Sequence, residues 1–121
     1  MNRVEIIGNL TNNPEIQTVQ TVNGPQSVCN FTIAVNRRKR DEADFFRCTA
    51  WGRIGEVIHQ HAGKGKKLYV SGEVSARPYK ATNGELRASL EVRVADFEFL
   101  SPKEQQGGFS QVTDEDLPLG G

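Results

Sequence analysis

Period-two alternation of apolar and polar side chains, in runs too short for a helix to exploit, sets the limits on what this chain can fold into. Residues 28–35 put Cys29, Phe31, Ile33 and Val35 on one side and Val28, Asn30 and Thr32 on the other. Residues 45–51 repeat the pattern, with Phe46, Cys48 and Ala50 opposed to Phe45, Arg47, Thr49 and Trp51. Residues 3–10, 67–76 and 86–100 extend it, the last with Leu86, Ala88, Leu90, Val92 and Val94 on one face. Residues 16–22 form a further candidate strand, broken at Asn23, Gly24 and Pro25. Turn chemistry stands at Asn12, Asn13 and Pro14, and Asn83-Gly84 signals a hairpin between residues 77–81 and 86–100. One stretch departs from the pattern. Ile54, Val57, Ile58 and His61 follow helical spacing, with Gly63 as the expected stop. Short strands with one inserted helix before the last two predict a mainly β chain. They fit a small antiparallel Greek-key barrel of the OB type better than a sandwich.

Residues 1–100 are expected to hold this domain. Beyond Leu100 the periodicity stops: residues 101–113, rich in Gln, Gly and Ser, read as a flexible linker. Residues 114–121 read as a disordered acidic tail carrying two leucines. The formal net charge of zero hides a division, because residues 1–100 carry 14 Lys or Arg against 11 Asp or Glu, while residues 101–121 carry one Lys against four acids. A basic body and an acidic tail suit one polyanionic and one basic partner, although a solvated surface gives the same arithmetic. No apolar run reaches the roughly 18 residues of a membrane span, and the first residues lack the pattern of a secretory signal. Cys29 and Cys48 lie inside apolar strand runs, which favours buried free thiols and a reducing cytoplasm.

Three clusters carry the chemistry of nucleic-acid binding. Phe45, Arg47, Thr49 and Trp51 interleave aromatic rings with a guanidinium, and Arg53 follows. Bases stack on rings while cations track phosphates. Either aromatic alone would more often be core, but here the opposite face already supplies one. Arg77, Tyr79 and Lys80 approach the hairpin tip, where a merely solvated tyrosine is an equal reading. Arg37, Arg38, Lys39 and Arg40 form a basic run in the loop between two strands, at one end of the aromatic face, where a solvated loop is the competing reading. Arg3 and Arg87 are candidate outward-facing cations on their own strands.

Other chemistries find no support. The segment 63–67 lacks P-loop spacing, His59 and His61 point different ways on the expected helix, and no Cys/His cluster has zinc spacing. No catalytic constellation is assembled and no cofactor is implied, so the chain is not expected to be an enzyme. A nuclease built on such a barrel would need clustered acids, which the strands do not show.

Taken in order, residues 4–15, 30–35, 45–52, 64–74 and 114–118 resemble successive blocks of the bacterial single-stranded-DNA-binding proteins. The resemblance implies an OB-fold, usually a homotetramer, that coats single-stranded DNA without base specificity or cofactor during replication, recombination and repair. It places the stacking aromatics on Phe45, Trp51 and Tyr79. It implies a cytoplasmic, nucleoid-associated protein that recruits replication, recombination and repair proteins through Asp114, Glu115, Asp116, Leu117, Pro118 and Leu119. Two features depart from the family pattern. The basic run stands where another loop aromatic is often found, predicting a steep salt dependence. The tip carries Leu119 in place of the usual Phe, followed by Gly120-Gly121. The competing reading is an OB-like accessory subunit of a replication or primosome complex that acts through protein contacts.

Overall fold

The computed structural model describes residues 1–38 and 42–100. The expected linker and tail, together with Lys39 and Arg40, lie outside these residues. Six strands and one helix follow in the order β1 (Arg3–Leu10), β2 (Glu15–Thr21), β3 (Gly24–Asn36), β4 (Ala43–Trp51), α1 (Gly52–His61), β5 (Lys67–Lys80) and β6 (Leu86–Phe99). The strands form one sheet in the order β1-β5-β6-β4-β3-β2, and an additional β1–β3 pairing closes it into the OB-type barrel. Closure rests on Asn9 opposite Ala34 and Leu10 opposite Ile33.

The inward residues are those that alternation selects. Cys29, Phe31, Ile33, Cys48, Ala50 and Val92 are buried together with Ile6, Leu10, Leu68, Val70 and Ile58. Helix α1 contributes Ile58 fully and packs Ile54 against the same core. Gly52, at φ +66°, turns β4 abruptly into α1, a backbone conformation that disfavours any Cβ.

Five details differ from the sequence expectation. The barrel is not wholly antiparallel: Phe46, Arg47, Cys48 and Thr49 of β4 run parallel to Leu90, Glu91, Val92 and Arg93 of β6. The α1 crossover followed by the β5–β6 hairpin returns β6 alongside β4 in the same direction. Pro25 does not break a strand but lies within β3, opposite Gln20. Pairing with β4 begins only at Val28, so the proline sits where one side of β3 is unpaired and no amide is needed there. The segments expected at 67–76 and 77–81 are one continuous strand, β5. Leu86 is 78% exposed rather than core-facing, because the end of the β5–β6 hairpin extends past the barrel. Finally, Gly63 does not take the left-handed conformation of a helix stop. Ala62 ends α1 by donating its backbone N–H to Ile58 O, and Gly65 supplies the positive φ in the following turn.

A bulge between Ser71 and Gly72 shifts the β5–β6 register, so that Ser71 faces Asp96 and Gly72 faces Val94. One extra residue, Ala95, thereby changes the parity of β6, and Phe97 and Phe99 join Val92 and Val94 on the core side. At the hairpin tip Ala81 and Glu85 are joined by a backbone bond of 2.8 Å around Thr82, Asn83 and Gly84, with Gly84 at φ +88°.

Cys29 and Cys48 are free thiols inside the core. Burial raises Cys29 to about 11 and Cys48 to about 12. A thiol whose pKa is raised by folding stabilises the native state fully below its unfolded value, near 9, and that contribution is lost as pH rises towards the folded values. Stability should therefore fall on the order of 2 kcal/mol by pH 10 from these two groups. Urea melts at pH 7 and pH 10 measure the drop, and Cys29→Ala/Cys48→Ala should lose that part of it. Native protein should also resist iodoacetamide that labels both thiols once it is unfolded.

Candidate nucleic-acid interface

Strand register assembles one side of the sheet from four separate segments. Thr32 lies opposite Arg47 and Asn30 opposite Thr49. On the other side of β4, Arg47 pairs with Glu91 and Thr49 with Arg93. Continuing across β6, Arg93 faces Glu73, Glu91 faces Ser75, Ser89 faces Arg77 and Arg87 faces Tyr79. Directly opposed residues share a face. Arg47 and Thr49, between Phe45 and Trp51, thus stand beside Glu91 and Arg93, and β6 in turn lies beside Arg77 and Tyr79 of β5.

The surface is grooved. A first lobe of about 660 Å³ is lined by Phe45, Arg47, Arg77, Tyr79 and Glu91 among others. A second, of about 510 Å³, is lined by Thr49, Trp51, Arg77, Glu91 and Arg93. A third, of about 330 Å³, lies over Asn30, Thr32, Arg47, Thr49 and Glu91. Shared lining residues make the three continuous: Arg77 joins the first to the second, Arg47 joins the first to the third, and Glu91 borders all three.

The aromatics are presented rather than packed away. Phe45 is 59% and Tyr79 46% exposed. Trp51 is half-buried at the point where β4 enters α1. Thr49 donates its hydroxyl to Asn30 Oδ1 at 3.1 Å, which leaves the Asn30 amide hydrogens free for a ligand in the third lobe. Among the described residues Arg47 and Arg93 have no ion-pair partner, so both guanidinium groups are available to phosphate.

The remaining candidate cations divide by position. Arg37 is held by its own hairpin: Nε and Nη2 donate to Asp44 Oδ1 at 2.9 and 2.7 Å, and Nη1 donates to Glu42 Oε1 at 3.1 Å. The Asp44 bond above all, with Glu42, raises its pKa beyond an already high value. Arg38 is exposed beside it. Arg53 lies on α1 near Glu56 at 3.7 Å, and Arg87 pairs with Glu85 at 3.1 Å. Neither these two nor the exposed Lys80 lines a lobe. Arg3 reaches Ser71 Oγ at 3.5 Å and borders a separate depression that shares Glu73 and Arg93 with the second lobe.

Arg93 and Glu91 escaped sequence reasoning. The signal was present, since both alternate with Val92 and Val94 on the face already assigned to Arg87. Among the described residues no group of three His, Cys, Asp or Glu is placed to hold a metal. None of their helices is long and apolar enough to cross a membrane. The arrangement offers stacking surfaces and cations on one face.

Comparison with known proteins points the same way. The model of the single-strand binding protein family matches residues 1–100. A single-stranded DNA-binding protein of Clostridium perfringens is 43% identical over 101 residues, covering 83% of this chain and 66% of the relative. Single-stranded DNA-binding protein 1 of Clostridium acetobutylicum is 37% identical over 110 residues, covering 87% of this chain and 98% of the relative. A single-stranded DNA-binding protein of Bacillus cereus is 35% identical, covering 92% and 69%. With its barrel, its grooved aromatic and cationic face and a match across all of residues 1–100, this chain belongs to the single-strand binding protein family.

Proposed function

We propose that this protein binds and protects single-stranded DNA without sequence preference, through the face that carries Phe45, Trp51 and Tyr79. The observation that supports this reading is their convergence with Arg47, Arg77 and Arg93 on one grooved surface, while the opposite side of the same strands forms the core. Rings take bases of any identity, because every base has a stacking face, and the guanidinium groups take the backbone. The basic loop and the outlying cations Arg3, Arg38, Arg53, Lys80 and Arg87 extend the path that phosphates follow. Relatives named single-stranded DNA-binding proteins support the same role.

On this reading the protein acts in replication, recombination and repair, in the cytoplasm at the nucleoid. The acidic segment Asp114, Glu115, Asp116, Leu117, Pro118, Leu119 recruits partners with basic, partly apolar pockets. Assembly as a homotetramer accounts for the 50% exposure of Ile7, which lies opposite the half-buried Tyr69 on the outer side of β1 and β5. That apolar surface suits a second copy of the chain.

Trp51 is the only tryptophan, so titration with poly-dT followed by its fluorescence reads the interface directly. Strong quenching with the single strand and little with duplex is expected, and the absence of quenching with either sinks the proposal. Phe45→Ala and Tyr79→Ala should each weaken binding by about 1–3 kcal/mol. Because both side chains are exposed, stability to urea should stay within about 0.5 kcal/mol of the parent.

The assembly and recruitment steps have their own readouts. Light scattering should give four times the chain mass of 13.4 kDa, and a monomer refutes the tetramer. A pull-down from lysate should lose its partners when residues 114–121 are deleted, with DNA affinity retained. Partners kept by the truncated chain refute recruitment by the tail.

A further inference from the structure

Every ion pair among the described residues uses an arginine of the proposed DNA path: Arg37 twice, then Arg53, Arg77 and Arg87. Two of the carboxylates, Asp44 and Glu91, line the groove itself. Glu91 occupies the centre, because it borders all three lobes. Its side chain is 27% exposed, and its Oε2 stands 3.6 Å from Nε of Arg77, whose own side chain is 74% exposed. An acid has no obvious place on a surface meant for a polyanion. Its position is explained if it holds the ground that a phosphate will take.

We propose that Glu91, and with it Asp44, act as built-in stand-ins for phosphate, so that DNA enters by exchanging a carboxylate for a phosphate at Arg77 and Arg37. This rests on the single-stranded-DNA reading and adds a regulation to it. A cation that meets phosphate releases counterions from the strand. Here the displaced carboxylate takes up a cation in turn, which offsets that release. Binding is then less sensitive to salt than the number of arginines implies, in place of the steep dependence that the basic run alone predicts. Arg47 and Arg93, unpaired among the described residues, supply the contacts that do respond to salt.

The test is a salt series of poly-dT affinity on the full chain, read as the slope of log Kobs against log salt. Glu91→Gln keeps the shape of the side chain and removes its charge. It should bind more tightly at low salt and steepen the slope by about 0.7, the value for one phosphate contact on a single strand. Asp44→Asn should act in the same direction. In an Arg77→Gln background, Glu91→Gln should give neither gain, which ties the effect to this pair. Glu98→Gln, the same charge change on β6 outside the lobes, controls for net charge and should leave the slope unaltered. An unchanged slope with Glu91→Gln, or weaker binding, overturns the proposal while parental binding upholds the DNA reading. A parental chain that does not bind poly-dT overturns both.

Discussion

The parallel pairing of β4 with β6 is the contact on which the interface depends. It brings Arg47 beside Glu91 and Thr49 beside Arg93, and β6 then carries β5, with Arg77 and Tyr79, to the other flank. Without this pair the aromatic strand would face open solvent alone, and Tyr79 would have no fixed relation to Phe45 or Trp51. The β1–β3 contact closes the barrel from the other side with only two residue pairs. Closure removes most of the free strand edge that an open sheet of this length would present.

Recognition and stability are separated by the pleat. Phe46, Cys48 and Ala50 pack inward while Phe45, Arg47, Thr49 and Trp51 point away from them. The apolar core therefore forms without drawing on the rings of the outward face, and that face can vary in charge without opening a cavity. A sheet exposed on one side allows this division, which a strand buried on both faces does not.

Much of this arrangement is legible in the sequence, and the reason is periodicity. Alternation over residues 28–35 and 45–51 identifies the inward residues, and the aromatic face follows as its complement. What escapes depends on partners distant in sequence or on breaks in the period. Arg37 reads as a free cation until the hairpin folds Asp44 and Glu42 back onto it. Arg93 and Glu91 gain meaning only when β6 is laid beside β4. Leu86 satisfies the alternation but lies beyond the reach of the core, and Ala95 shifts the period of β6 at a point where the accompanying glycine, Gly72, stands on the facing strand. Pro25 carries a strong local signal, yet its effect depends on which neighbour is missing.

Beyond Ala76 the β5–β6 hairpin runs past its last pairing with β4 as a two-stranded arm in which Arg77, Pro78, Tyr79 and Lys80 are all exposed. An isolated pair of strands is only marginally stable in water, and regions with few buried contacts open far more readily than the body that carries them. Tyr79 is thus mounted on an arm with few buried contacts, while Trp51 is half-buried at the junction of β4 and α1. In the proposed complex one side of the groove acts as an anvil and the other as a compliant finger, so that bases of different size are accommodated by the bending of the arm rather than by a change in the barrel.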